Sequence, residues 1–267
     1  MQYFVFCQSD LVLEHTAEGY AIPTTAPVDC KPWTTVMDVD GAKAFRIDQP
    51  LTGSDRYEMC PLRQSYYKLS EADYLKAGKC HELLYWDQNT KFCGVCGAAM
   101  RFSTPISKKC EHCGKEIWPQ LAVAIIVLIR RKHPTASVLD REEAPATSAS
   151  GREEVLLVHA KSFRDNHYGL VAGFVETGET LEEAVYREVM EETGLHITNL
   201  QYFGSQPWPY PCGLMVGYTA DYDYGKIHLQ RSELSKGSWF DRDHLPLIPE
   251  KLSIARRLID AWLEETE

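Results

Sequence analysis

Residues 173–195, GFVETGETLEEAVYREVMEETGL, constrain the fold more than any other stretch. Thr180 precedes apolar positions Leu181, Ala184, Val185 and Val189, which recur three and four apart, the period of a helix with one buried stripe. Thr180 and Glu183 form a T-x-x-E capping box, and Gly194 stands where a helix C-terminus favours a left-handed residue. The spacing predicts a helix from about residue 181 to about residue 193.

On that helix Glu188, Glu191 and Glu192 converge, because residues three and four apart share a face. Carboxylates so close repel one another, and a divalent cation removes that cost. Hard oxygen ligands suit Mg2+ or Mn2+. Such ions activate water and neutralise charge that develops on a phosphate. Arg187 lies one turn from Glu183 and Glu191 and can orient one of them by a charge-assisted hydrogen bond. Three glutamates alone would read as a solvated acidic face. The full spacing, with a glycine at each end and a loop before the helix, argues against that reading. The segment resembles the signature of the Nudix hydrolases, which cleave nucleoside diphosphates linked to another moiety. The resemblance implies an α+β protein built on an α/β/α sandwich, with the signature as loop, helix and loop.

The net charge of −10 excludes bulk electrostatic attraction to nucleic acid or anionic membranes. The longest apolar run, Leu121 to Ile129, is strand-sized, so no membrane span is expected. The start, MQYFVFCQSD, lacks a basic region followed by an apolar stretch and so predicts no secretory signal. Nine cysteines, an odd number with clustered spacing, favour reduced thiols and metal over disulfides, which points to a cytoplasmic protein.

Three regions follow from the pattern along the chain. Residues 1–90 read as a small β-rich domain, with short runs YFVF, GYAIP and AKAFRI parted by Gly and Pro signals. From Ser70 the pattern turns helical, with Ser70 and Asp73 as a cap and Leu75, Cys80, Leu83 and Leu84 apolar. Cys7, Cys30, Cys60 and Cys80 lack paired metal spacing and read as buried or free thiols. Residues 91–119 form the second region, a zinc ribbon. Cys93, Cys96, Cys110 and Cys113 make two C-x-x-C pairs, each followed by glycine, and two such knuckles give a closed tetrahedral site for structural Zn2+. Lys108, Lys109 and Lys115 supply some positive charge, but the patch is small and a structural staple is the expected role. Residues 120–267 form the third region, the hydrolase domain. Its first strand is LAVAIIVLIRRK, and the polar segment 133–153 reads as a mobile insertion in a hairpin whose second strand is VLLVHA.

In SQPWPYP, residues 205–211, three prolines alternate with Gln206, Trp208 and Tyr210. The result is a stiff extended segment whose aromatics can offer flat faces to a base or pyridine ring. With the box upstream, the segment is similar to the SQPWPFPxS motif of the NADH pyrophosphatase branch of the Nudix hydrolases, also known as NAD-capped RNA hydrolases. Tyr210 replaces phenylalanine and Gly213 replaces the final serine, which removes a hydroxyl. The cysteine pairs, LLYWDQNTKFC before them and WPQLAVAIIVLIRR after them extend the resemblance over most of the chain, while the first 60 residues match loosely.

The resemblance implies Mg2+ or Mn2+ bound by Glu188, Glu191, Glu192, Glu233 and the backbone carbonyl of Ala172. Substrate contacts carried over are Gln206, Pro207, Trp208, Pro209, Tyr210, Pro211, Cys212 and Gly213. They also include the backbone of Ala255, Arg63 at a phosphate, and Trp118 where the family has tyrosine. Arg256 and Arg257, beside Ala255, read as a solvated helix face. The implied substrates are NADH or NAD, cleaved to the nicotinamide mononucleotide and AMP, and NAD at the 5' end of RNA, with a homodimer as the assembly. Hydrolysis of ADP-ribose or another nucleoside diphosphate derivative is the same-chemistry alternative. The different-class alternative is an inactive zinc-ribbon RNA-binding protein, against which the intact REVMEE run argues.

Overall fold

A computed structural model describes residues 1–132, 153–163 and 165–265. The chain divides into two compact units, one of Met1–Leu121 with Pro207–Gly213, the other of Ala122–Gln206 with Leu214–Glu267.

The first unit contains strands β1 (Tyr3–Cys7), β2 (Asp10–Thr16), β3 (Gly19–Ala21), β4 (Met37–Val39), β5 (Ala42–Arg46) and β6 (Tyr57–Pro61), then helices α1 (Leu62–Ser65) and α2 (Glu71–Asn89). The strands form one sheet in the order β3-β2-β1-β5-β4, with β6 also paired to β2 and β1 parallel to β5. Alternation along a strand sends Phe4 and Phe6 to one face and Val5 to the other. The first face packs with Ala77, Cys80 and Leu84 of α2; the second holds Val5, Val12 and Phe45. Both faces are covered, which explains why β1 reads as an unbroken apolar run. The runs YFVF, GYAIP and AKAFRI fall on β1, β3 and β5, while β2, β4 and β6 carry no comparable signal.

Helix α2 starts where Ser70 predicts, with the Ser70 hydroxyl accepting the Asp73 N–H at 3.1 Å. Leu83 and Leu84 are buried as expected, but Leu75 is exposed, because it lies on the helix face turned from the sheet. Cys7, Cys60 and Cys80 are buried and Cys30 is exposed; none forms a disulfide.

The ribbon follows as β7 (Met100–Thr104), β8 (Ser107–Cys110) and β9 (Glu116–Ile117), a three-stranded sheet in chain order. Lys108 does not belong to the surface charge that the sequence suggests. Its side chain is fully buried, and its ammonium group meets Asp87 at 2.7 Å and donates to the carbonyls of Asp87 and Thr90 at 2.9 and 3.1 Å. The cation thus caps the carbonyl end of α2 and ties the ribbon hairpin to it.

The second unit contains β10 (Ala122–Lys132), β11 (Glu153–Ala160), β12 (Val171–Phe174), α3 (Leu181–Thr193), β15 (Leu234–Asp241) and α4 (Ile254–Glu264), with all of β13 (His196–Trp208) but its last two residues and all of β14 (Gly213–Tyr224) but its first. Its sheet runs β13-β14-β10-β11-β15, with β12 also paired to β10. Along β10, Ile125, Val127 and Ile129 pack with Ala184, Val185 and Val189 of α3; Ile126 and Leu128 pack with Leu258, Ile259 and Trp262 of α4. One helix on each face makes the α/β/α sandwich. Each fully buried aliphatic side chain contributes roughly 2 kcal/mol. Strands β10 and β11 pair antiparallel, with Lys132 opposite Glu153; the insertion expected at 133–153 thus loses Glu153 to β11, and its other residues lie outside the described residues. No described helix is long and apolar enough to cross a membrane.

Candidate active site

Helix α3 begins and ends as its sequence predicts. Thr180 and Glu183 form the reciprocal capping box, and Gly194 has φ 68° at the C-terminus. The loop before it is fixed by the side chain of Glu179, which accepts the Glu176 N–H at 2.9 Å. Arg187 grips both Glu179 carboxylate oxygens, donates to the Phe174 carbonyl at 3.0 Å, and reaches Glu188 at 2.8 Å and Glu191 at 3.1 Å. One guanidinium therefore locks the loop, β12 and two carboxylates together, a geometry that its rigid fork suits and lysine could not reproduce. Glu183 pairs with the backbone of Thr180 instead. Glu179 is the orienting partner that sequence reasoning passed over.

Gly173 has a specific reason to be glycine. The Glu188 carboxyl lies so close to its Cα that a Cβ there would be 2.0 Å from the Glu188 Cδ. The carboxylate thus rests against bare β12 backbone beside Ala172, which is paired opposite Ile126.

Glu233 reaches the same region through the end of α3. The last carbonyls of a helix lack internal partners. Here Glu192 and Thr193 offer theirs to the N–H groups of Gln230 and His228, at 2.9 and 2.7 Å, and the Glu233 N–H turns back to Gln230 at 3.0 Å.

Glu192 is the most perturbed member of the group. It is 4% exposed, and its Oε2 has no hydrogen-bond partner among the described residues. Burial, then the charges of Glu188, Glu233 and Glu191, push its carboxyl up to about 8. Burial also raises Glu188, against the pull of Arg187. A buried carboxylate with an unpaired oxygen beside three like charges fits a divalent cation and fits little else. The donor set is all oxygen, as hard cations require.

The zinc-ribbon cysteines also converge. The Sγ atoms of Cys93, Cys96, Cys110 and Cys113 all lie within 4.8 Å of one another. Gly97 and Gly114, at φ 75° and 74°, turn each knuckle, and the N–H groups of Val95 and Cys113 point at the sulfurs of Cys93 and Cys110. Four thiolates held so closely fit a tetrahedral cation.

The remaining expected residues fall into two places. In the second unit, Gln206 is buried and both ends of its amide are bonded: it donates to the Leu252 carbonyl at 2.7 Å and accepts the Ile254 N–H at 2.6 Å. Its observed task is therefore to anchor the start of α4, next to buried Ala255, where Ser253 supplies the cap. Arg256 pairs with Asp260 at 2.7 Å and Arg257 is exposed.

In the first unit, the Trp208 ring stands edge-on to Tyr210 with centroids 5.1 Å apart, and the Arg63 guanidinium lies 5.3 Å over it. Pro209 is buried, Pro207 and Pro211 are exposed, and Cys212 and Gly213 are half-buried. Trp118 and Cys212 line one cavity of about 360 Å3 with Trp86 and Glu82.

A NUDIX domain model matches residues 131–263. The chain is 38% identical over 242 residues to the NAD-capped RNA hydrolase NudC of Haemophilus influenzae (strain PittEE), covering 85% of this chain and 84% of that one. The chain belongs to the NudC branch of the Nudix hydrolases. The NAD-capped RNA hydrolase NudC of Shigella dysenteriae is 39% identical over 206 residues, covering 77% of this Nudix hydrolase and 72% of the relative. Among solved structures, a NUDIX hydrolase from Nitrosomonas europaea is 19% identical, covering 66% of this chain and 91% of that one, with a TM-score of 0.48. Nudix hydrolases need divalent metals.

Proposed function

We propose that this Nudix hydrolase cleaves the diphosphate of NADH or NAD, giving the nicotinamide mononucleotide and AMP, and by the same step removes NAD from the 5' ends of RNA. The observation that carries the reaction class is the buried Glu192 carboxylate, with one oxygen unpartnered among the described residues, amid Glu188, Glu191 and Glu233. The choice of substrate is supported by the similarity to NAD-capped RNA hydrolases and by the aromatic segment Trp208–Tyr210.

Glu188, Glu191, Glu192, Glu233 and the Ala172 carbonyl would hold Mg2+ or Mn2+. When bound, the cation supplies Lewis acidity toward a phosphate oxygen and lowers the pKa of water. Water attacks one phosphorus, the bridging P–O bond breaks, and the displaced phosphate leaves as a monoester. Glu191, half exposed at the edge of the group, takes the water's proton, while Arg187 holds one of its oxygens in place. Arg187 keeps Glu188 in position throughout, so the cluster is organised before substrate arrives. Residues 207–213 would hold the nicotinamide or adenine ring, Arg63 a phosphate, and Trp118 a ring face. Ala255 would contribute backbone, with Gln206 acting through α4. Zn2+ in the four-cysteine site would be structural. The family resemblance supports a homodimer, and the reduced-thiol pattern supports the cytoplasm.

Turnover of NADH, NAD, ADP-ribose and an NAD-capped RNA should be compared with Mn2+ or Mg2+ present and products separated. The dinucleotides and capped RNA are expected to be cleaved at the diphosphate, with ADP-ribose slower. Cleavage of ADP-ribose alone would remove the assignment of residues 207–213 while leaving the carboxylate site intact.

A further inference from the structure

Tyr74, Gly78, His81 and Glu82 occupy successive steps of four, three and one along α2 and so form a single stripe on that helix. Every member of the stripe meets residues 207–213. The hydroxyls of Tyr74 and Tyr210 are 2.8 Å apart. A Cβ on Gly78 would lie 3.0 Å from the Pro209 Cγ, so the proline ring sits directly on the helix backbone. His81 faces the Pro209 carbonyl, and Glu82 accepts the Gly213 N–H.

Several features mark this seat as more than packing. Glu82 is a carboxylate with one oxygen buried and unpartnered among the described residues, an arrangement that a purely structural helix position avoids. It lines the same cavity as Trp118 and Cys212. The helix itself is pinned at both ends, by the Ser70 cap and by Lys108. Burial first, and then Arg46, hold His81 at about 4, so it is neutral near pH 7 and the seat carries no histidine charge. A rigid helix carrying a rigid Pro-rich segment is the construction expected where a ring must be held in one orientation.

We propose that the α2 stripe is the positioning platform of the substrate segment, with Tyr74, Gly78 and Glu82 setting affinity for the dinucleotide while touching no reacting atom. This rests on the reading of residues 207–213 as the segment that binds a ring of the substrate. The sequence offered no hint of it, because α2 precedes that segment by more than a hundred residues.

The test compares Gly78→Ala, Tyr74→Phe, Tyr210→Phe, Glu82→Gln and Trp208→Ala with the unaltered full-length protein. NADH is the substrate, and thermal unfolding serves as the check on folding. Gly78→Ala is expected to raise KM about tenfold with kcat within about twofold, the signature of lost ground-state binding. Tyr74→Phe and Tyr210→Phe should each raise KM several-fold, and the double variant should be no worse than either single one. Glu82→Gln and Tyr74→Phe change almost no volume, so they decide the matter even if Gly78→Ala fails to fold. A raised KM in Trp208→Ala with unchanged KM in Tyr74→Phe and Glu82→Gln would overturn the platform and leave the segment's role standing. An unchanged KM in Trp208→Ala would instead overturn the reading of the segment itself, and the platform with it.

Discussion

Replacing Glu192 by Gln is expected to lower NADH turnover by about a thousandfold or more while stabilising the metal-free protein at pH 8. Both effects follow from one carboxylate. In the proposed mechanism it is a cation ligand, so removing its charge would remove catalysis. It is also buried, lacks a partner for Oε2 among the described residues, and is crowded by Glu188, Glu233 and Glu191, so without a cation its charge is a liability. Its carboxyl is raised to about 8 in the folded chain. An unfolded glutamate titrates near 4.3. The folded state therefore holds this proton more tightly, and stability is greatest below the unfolded pKa and declines as pH rises toward about 8, by a few kcal/mol. Urea unfolding with chelator at pH 5 and pH 8 measures the decline; Glu192→Gln should flatten it, and saturating Mn2+ should restore stability to the parent protein at pH 8. Equal pH dependence in the two proteins would contradict the placement of that charge.

The second large effect concerns the four cysteines. Cys110 is drawn down to about 6, first by the Cys113 N–H. Cys113 is pushed up to about 12, where the thiols of Cys110 and Cys96 outweigh the Lys115 N–H. Such sharing means that the four sulfurs cannot ionise together unless a cation joins them. Cys110→Ser should therefore lose one equivalent of zinc and unfold at lower temperature, with a loss of several kcal/mol, since structural zinc sites contribute folding free energy outright. Zinc content by dye titration and a thermal melt on the same sample test this. A zinc-free protein with an unchanged melting temperature would contradict a structural role for the site.

How much of this was legible in the sequence depended on whether the signal was local. The bounds of α3, its caps and the cysteine knuckles follow from spacing alone, because each is set within one or two turns of chain. Long-range partners were not legible. Glu179 and Arg187 are eight residues apart, beyond the one-turn rule that pairs Arg187 with Glu183 and Glu191, and the loop conformation decides that Glu179 wins. Lys108 looked like surface charge because nothing near it reveals that the α2 carbonyl end covers it. Gln206 carries the family's motif, but only folding shows that both ends of its amide are taken by Leu252 and Ile254. The same limit hid β2, whose continuous core is visible only once both faces of its sheet are covered.

The measurement that bears most directly on the central claim is product analysis of NADH cleavage in 18O-labelled water with Mn2+. The account predicts reduced nicotinamide mononucleotide and AMP, with one 18O atom in the phosphate of one product, none in the sugars, and no reaction after chelation. Release of nicotinamide, which would require cleavage at the sugar, or turnover that persists in excess chelator, would contradict it.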